Sequence, residues 1–348
     1  MIAFAPAELI PTLKAYENQG EIFVKALVKG SMKDGQMPAI DAEFGCDRGF
    51  FKNGKNDLKL DDIEFYGTFT NGEKRDMSTM KFTMNKLKAK PAAGVFDAKL
   101  SVVNFNEPDI DLNVKSNFNL DFLVQFMNLE DEIKHPKGSV ELTMNFHDII
   151  DLSNPEKSLE KLNESYYTEL IVQNLSFDSK SYPLPIRNFN IHADINGNKL
   201  TLEEFNGKVG KSDINMTGTV SDIPAILHAT NKEIVTNLKV SANHIDIAEL
   251  TYDPKLKKSA VNEVVENFKL DVALKATGKA LFETDKLPIG EFNINELDAK
   301  LMNYPHHFHD FSAGLFIEQN DIRIKRFKGF IDESDFLFYG KLVSYAHL

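Results

Sequence analysis

Apolar and polar residues alternate along most of this chain. Between Val140 and Phe146 every second residue is apolar, and the residues between them are polar or charged. Successive side chains of a β-strand point to opposite sides, so this pattern predicts strands with one apolar face and one solvated face. The alternation recurs along the chain, in residues 22–28, 96–102, 110–114, 189–195, 214–216, 270–274, 311–317, 322–324 and 336–338.

Short turn sequences separate these segments and favour antiparallel hairpins. Turns are expected at Asn71-Gly72, Asn196–Asn198, Gly207–Gly210, Gln319–Asp321 and Asp332–Ser334. Helical signals are few, and they predict short helices over Pro6–Asn18, Leu120–Met127, Asn154–Leu162 and Lys257–Phe268. The chain is therefore predicted to be all-β and mainly antiparallel, with a few short helices.

One stretch of sequence occurs twice. Phe205 and Gly218 of the first copy correspond to Phe327 and Gly340 of the second, an offset of 122 residues in both cases (327 − 205 and 340 − 218). Repeats build a fold by the addition of units and spread function along a surface. We therefore expect an elongated, curved sheet of repeating strands with an apolar groove, rather than a sandwich that closes after a few strands.

The repeat also bears on the organisation of the chain. Residues 1–150 are expected to form an N-terminal β-groove segment with an opening helix, and residues 151–348 to hold the two repeat copies. Both segments would belong to one continuous elongated array rather than to independent domains. We expect both ends to be cut from a longer protein, because residues 1–7 do not resemble a signal peptide and the C-terminal residues directly follow the last predicted strand.

Composition narrows the classes of function. The formal net charge is −12 and no Lys/Arg-dense stretch with interleaved aromatics occurs, which disfavours nucleic-acid binding and electrostatic docking on anionic membranes. A single cysteine, Cys46, leaves no possibility of an internal disulfide or a multi-cysteine zinc site. Aromatic bulk comes from 27 Phe and 9 Tyr with no Trp, and Phe suits a continuously apolar surface because it carries no polar group.

Signals for catalysis are weak. The chain has no phosphate-binding loop, no dinucleotide-binding glycine pattern, no His-Glu-x-x-His and no Gly-x-Ser-x-Gly motif. In a strand, His307 and His309 would share a face, which is one requirement of a metal site, but only Asp310 is adjacent, so we expect a surface cluster with His306. No enzymatic activity, cofactor or metal site is predicted.

A second repeated feature is the pair Ser212-Asp213, which returns as Ser334-Asp335. Each pair stands in a predicted turn just before a strand. Ser and Asp side chains commonly bind backbone groups in turns, so we expect local hydrogen bonds there and no catalytic role.

The glycine-punctuated pattern of residues 200–218 resembles the AsmA-like family of bacterial envelope proteins. Residues 103–121 and 65–72 carry the same resemblance, which extends over roughly residues 20–345. The resemblance implies a rod of β-groove repeats in the periplasm, tethered to the inner membrane. It also implies a bridge-like function in which the groove supports lipid transport between the inner and outer membranes and outer-membrane biogenesis. The membrane helix of that family is absent here, so a tether is expected from sequence outside this chain.

The partners implied are phospholipid acyl chains, the inner membrane through the missing segment, and other envelope proteins. The side chains expected to line the lipid groove are Phe189, Ile191, Ile195, Leu200, Leu202, Ile214, Met216, Phe311, Leu315, Ile317, Ile322, Ile324, Phe336 and Phe338. The alternative is a non-catalytic structural or interaction module of the cell envelope, a solenoid or sandwich stalk with a dry interior, and an enzyme is a more distant third.

Overall fold

The computed structural model describes residues 16–31, 37–92, 94–149, 166–227, 229–253, 257–281, 289–318 and 321–343. In these residues the chain is overwhelmingly strand, and 17 of the strands are joined in one sheet. The chain divides into two compact units, Met1–Val172 and Gln173–Leu348. Every strand pair with a defined register is antiparallel, so the predicted all-β, mainly antiparallel fold with few short helices is confirmed.

The first unit is a meander in which each strand pairs with the next. Its strands are β1 (Tyr16–Lys29), β2 (Ala39–Asn53), β3 (Lys59–Thr70), β4 (Lys81–Pro91), β5 (Val95–Val103), β6 (Asp109–Asn119) and β7 (Ile133–Ile149). Strand β8 (Tyr166–Ser179) contains the boundary between the two units.

The second unit continues the same plan of consecutive antiparallel pairing. Its large-sheet strands are β9 (Ile186–Asn196), β10 (Lys199–Val209), β11 (Ser212–Val220), β12 (Glu233–Asp246), β15 (Val264–Thr277), β16 (Gly290–Leu301), β17 (His307–Glu318), β18 (Asp321–Ile331) and β19 (Ser334–Leu342). Between β12 and β15, a separate two-stranded ladder is formed by β13 (Tyr252–Asp253) and β14 (Lys258–Ser259).

The described helices are short. They are α1 (Leu120–Phe126), α2 (Ile223–Leu227) and α3 (Ile247–Leu250), with a 3-10 turn at Lys279–Leu281. The helix predicted over Leu120–Met127 is confirmed as α1. None of the helices in the described segments has the length and apolar content to cross a membrane.

Two features of the sequence prediction are wrong. No helix covers Lys257–Phe268, because β14 and the start of β15 occupy that segment. The alternation that begins at Val264 pairs with β12, and this tertiary pairing overrides the helical signal. The turn predicted at Gly207–Gly210 begins only at Gly210, since β10 extends to Val209.

Other predictions lie wholly or partly outside the described residues. The helix over Asn154–Leu162 lies entirely outside them. Most of the opening helix over Pro6–Asn18 also does, and its last three positions belong to β1. Of the turn at Gln319–Asp321, only Asp321 is described, as the first residue of β18.

Helix α1 lies across one end of the strands of the first unit. The buried Asn53 side chain at the end of β2 donates to the carbonyl oxygens of Gln125 (3.2 Å) and Phe126 (2.8 Å). The hydroxyl of Tyr16, at the start of β1, donates to the Phe126 carbonyl at 2.9 Å. These donors satisfy carbonyl groups at the C-terminal end of α1 that the helix cannot pair internally.

The position of α1 requires the sheet of the first unit to curl. In a flat sheet β2 and β6 would lie four strand spacings apart, about 19 Å. Helix α1 starts directly after β6, and a helix of its length covers only about 10 Å. Its last turn nevertheless reaches Asn53 within hydrogen-bond distance. The strand ends between β2 and β6 therefore curve around the helix.

Replacement of Asn53 by Ala should destabilise the first unit. The change removes donors from the α1 carbonyls and from Asn128 Oδ1, at a site with no solvent to replace them. We expect the free energy of unfolding in urea to fall by roughly 2 kcal/mol. Asn113→Ala is the control, because within the described residues the exposed Asn113 side chain bonds only to Asp111, and its loss should cost less than about 0.5 kcal/mol. Equal effects of the two substitutions would show that α1 is not held through Asn53.

Candidate functional site

The strand register gathers the apolar residues of the first unit on one face. Residues opposite each other in an antiparallel ladder share a face, so the pairing can be followed from strand to strand. One row across β1 to β7 consists of Val24, Phe44, Gly67, Met84, Leu100, Leu112 and Phe146. A second row consists of Ile22, Cys46, Phe65, Leu87, Ala98, Val114 and Met144. We call this surface the first apolar face.

The second unit has an equivalent surface, the second apolar face. One of its rows consists of Ile195, Leu200, Val220, Thr236, Leu274, Phe292, Leu315, Ile324 and Gly340. The next row consists of Ala193, Leu202, Gly218, Leu238, Val272, Ile294, Ala313, Phe327 and Phe338. Neither row carries a charged side chain over nine successive strands.

The fourteen side chains predicted to line a groove all lie on the second apolar face. Six stand in the two rows above, and Ile317 pairs with Ile322 in the next row. The others extend the face towards the far strand ends through pairs such as Ile191 with Phe205 and Met216 with Val240. The alternating apolar residues of the first unit, such as Ile22, Val24 and Leu100, belong to the same predicted lining, and the register places them on the first apolar face.

Most of these side chains are neither covered nor fully exposed. Of the fourteen, Ile317 is buried and Phe338 is exposed to 50%, while the remaining twelve are of intermediate exposure. Side chains between the two sheets of a dry sandwich are close-packed and largely inaccessible. The second apolar face therefore remains accessible, and the same holds for most of the first apolar face, where Val24 is 55% exposed.

A phenylalanine-over-glycine contact is built identically in both repeat copies. A Cβ atom on Gly207 would come within 2.5 Å of the Phe189 ring, and one on Gly329 within 2.7 Å of the Phe311 ring. In the first copy Phe189 meets Phe205 edge-on at 5.5 Å between ring centroids. In the second copy Phe311 meets Phe327 edge-on at 6.0 Å. In both copies a phenylalanine ring therefore lies directly over a glycine, where any larger residue would clash with the ring.

The opposite side of the sheet is polar and carries many of the charges of the chain. In the first unit Glu64, Lys88, Asp97 and Lys115 follow one another across β3 to β6. Glu64 forms an ion pair with Lys86, and Lys88 approaches Asp97 to 3.4 Å. All these side chains are substantially exposed, so the ion pairs contribute little stability and mainly keep this face hydrated.

The histidine cluster of the second unit is held by carboxylates. His306 Nδ1 contacts Asp332 Oδ2, and the rings of His307 and His309 stack at 5.2 Å, which confirms that these two share a face. His309 Nδ1 meets Asp310 Oδ2 at 2.8 Å, while its Nε2 meets the Asp332 carbonyl oxygen at 2.9 Å. Both ring nitrogens of His309 therefore face acceptors, and only the doubly protonated ring can donate to both.

This geometry raises the pKa of His309, chiefly through the hydrogen bond with Asp310 and then through the Asp332 carbonyl. A raised folded-state pKa contributes stability that is present below the unfolded pKa and lost as the pH rises through the folded value. We expect NMR titration to give His309 a pKa above the ordinary value of about 6.5, and Asp310→Asn to lower it. A His309 pKa unchanged by that substitution would contradict the assigned hydrogen bond.

The repeated Ser-Asp pair does not act within its own turn, contrary to the sequence prediction. Ser212 Oγ accepts from the backbone N–H of Asp246 at 3.0 Å. The Asp213 carboxylate accepts from the N–H groups of Asn243 (3.0 Å) and His244 (2.8 Å). The pair thus binds the C-terminal end of the neighbouring strand β12. The sequence repeat singled out Ser212 and Asp213, but their binding partners become visible only when β11 is paired with β12.

Comparison of the chain with protein-family models, with curated proteins and with solved structures found no match. The site consists of two accessible apolar faces whose two central rows carry no charged side chain.

Proposed function

We propose that this chain is a periplasmic segment of an AsmA-like protein whose apolar faces shield phospholipid acyl chains. In this function it supports lipid transport between the inner and outer membranes and outer-membrane biogenesis. The observation that carries the proposal is the run of cross-strand apolar rows whose side chains are half-exposed. The periplasmic location and the inner-membrane tether belong to the same proposal and rest on the sequence resemblance.

The energetics of hydrocarbon transfer favour such a surface. Each exposed methylene costs about 0.8 kcal/mol in water, so one long acyl chain costs on the order of 10 kcal/mol. A carrier must offset this cost along the whole path without a deep well that would trap the lipid. Rows such as Leu238, Val272 and Ile294 present similar apolar groups at each strand spacing of about 4.8 Å. A sliding chain would thus exchange one contact for an equivalent one.

Selectivity for a head group is not expected from these rows. The central rows contain no charged side chain, and their few polar atoms, such as the Thr236 hydroxyl, are buried. The polar part of the lipid would therefore remain in solvent or at the strand ends. We therefore expect these faces to accept diacyl phospholipids with different head groups, and to distinguish acyl-chain lengths less well than a closed pocket would.

The alternative of a structural stalk with a dry interior receives less support. Such a stalk needs a second layer over the apolar rows, and the described side chains of these rows are mostly half-exposed. No arrangement of nucleophile, acid and base in these rows favours an enzyme over either hypothesis.

Lipid carried by the whole chain is the direct test. The protein should be expressed in a bacterial periplasm, purified without added lipid and measured by native mass spectrometry and lipid extraction. We expect bound phospholipid, and a loss of about tenfold or more in the Leu100→Lys/Leu202→Lys double variant, which places one charge in a central row of each face.

The matched control is Ser101→Lys/Thr201→Lys. Ser101 follows Leu100 and Thr201 precedes Leu202 in the same strands, and all four are half-buried. On the polar side, Ser101 lies opposite Asp111 and Thr201 lies opposite Asp194. The control should retain lipid within about twofold, because a lysine there meets an opposite charge and water. Urea unfolding would verify that both variants fold. Lipid-free protein that takes up no phospholipid from vesicles, or equal loss in both variants, would overturn the proposal.

A further inference from the structure

The turn between β18 and β19 is fastened to the start of β17 by histidines and one aspartate. His306 Nδ1 contacts Asp332 Oδ2, and the backbone N–H of His307 donates to Asp332 Oδ1 at 2.9 Å. His309 Nε2 meets the Asp332 carbonyl oxygen at 2.9 Å, and the Asp332 N–H donates to the His307 carbonyl at 2.9 Å. Asp332 is thus held through its side chain, its N–H and its carbonyl. We call His306, His309 and Asp332 the histidine clamp.

The first repeat copy has the same turn without these side chains. At the 122-residue offset (332 − 210 and 307 − 185), the Gly210 N–H donates to the Pro185 carbonyl, also at 2.9 Å. Both turn residues have left-handed backbone, with φ of +58° at Gly210 and +52° at Asp332. This conformation favours glycine and costs energy for a residue with a Cβ atom. The turn itself therefore does not require an aspartate, and the contacts of the clamp offset the cost of having one.

The cation at this place also differs between the two copies. His309 stands where the first copy has Arg187 (309 − 187), whose guanidinium donates to the Phe177 carbonyl at 2.9 Å and to the Asp178 carboxylate. Arginine keeps its charge at any ordinary pH, whereas a histidine changes its charge near neutral pH. The second copy has thus replaced a permanent cation with one that can lose its proton.

Carboxylates dominate the surroundings of the His309 ring and favour its protonated form. Asp310 meets Nδ1 at 2.8 Å, and Asp298 of β16 accepts from the Asp310 N–H at 3.0 Å. The other charged or aromatic groups come from its own strand and the neighbouring ones: His307, Phe330 stacked on the ring at 5.2 Å, Lys300 opposite His307, and Asp335 opposite Phe330.

These contacts define the pH range in which the clamp is complete. The hydrogen bond with Asp310, followed by that with the Asp332 carbonyl, raises the pKa of His309. Its contribution is therefore present below the unfolded value of about 6.5 and is lost as the pH rises through the folded value. The hydrogen bond with His306 lowers the pKa of Asp332, so that contribution is present above the unfolded value of about 3.9 and is lost as the pH falls through the folded value.

We propose that the histidine clamp is a proton-dependent fastening of the β18–β19 turn, closed in mildly acidic solution and released as the histidines lose their protons. The turn leads directly into Phe336, whose ring lies 5.2 Å from that of Phe311 and 5.4 Å from that of Phe327 on the second apolar face. Release loosens this end of the face in the second copy alone. The inference concerns the fold and does not rest on lipid binding.

Hydrogen–deuterium exchange of the full chain tests the clamp at about pH 5.5 and about pH 8.5, on either side of the ordinary histidine pKa. Labelling times are scaled to the intrinsic exchange rate at each pH. We expect protection of the Asp332 amide to fall about threefold at the higher pH, since exposed ion pairs contribute modestly. The Gly210 amide is the matched control in the same molecule and should keep its protection. An Asp332 amide with no pH dependence, or with the same dependence as Gly210, would overturn the proposal.

The His306→Gln/His309→Gln variant removes the two titrating rings and keeps polar side chains in their place. Its Asp332 amide should be equally protected at both pH values. His307→Gln is the control, because His307 binds Asp332 through its backbone N–H, which the substitution retains, so the pH dependence should persist. Urea unfolding at about pH 6, below the ordinary histidine pKa, would verify that both variants fold. A pH dependence that survives in the double variant, or disappears in the control, would contradict the assignment to His306 and His309.

Discussion

The antiparallel ladder is the constraint on which the structure depends. Because side chains alternate with a period of two, one correct register places every second residue of each strand on a common face. A slip of β12 by a single residue relative to β15 would move Leu238 to the polar side and leave Val272 without its apolar neighbour. The register therefore determines both the apolar rows and the hydrated side. Because the strands alternate strongly, any other register would place apolar side chains in water.

A sheet with one apolar face is ordinarily completed by a second layer. Within the described residues, α1 covers one end of the first unit, where its own Phe122 and Val124 side chains are buried. Asn53 holds α1 at this end, where the strand ends curl around the helix. The apolar rows beyond α1 remain half-exposed. Stability in such a protein comes largely from cross-strand neighbours within the sheet, such as Leu100, which lies between Met84 and Leu112.

Much of this arrangement could be predicted from the sequence, and the reasons differ from element to element. The alternation at residues 311–317 and the repeat of Phe189 and Gly207 as Phe311 and Gly329 can be read from the sequence directly, so the strands and the shared face of their apolar side chains could be predicted. The error at Lys257–Phe268 arose because a short apolar segment is ambiguous until its partner strand is known. The role of Ser212 could not be predicted, since its partner at Asp246 lies 34 residues away.

The two repeat copies agree on one face of their last strand and differ on the other. Strand β19 keeps the Ser-Asp pair that β11 uses against β12, but Leu337 and Tyr339 stand where β11 has Asn215 and Thr217. The register of the sheet thus carries a signal that is repeated in both copies, whereas the exposure of Leu337, Phe338 and Tyr339 belongs to the second copy alone.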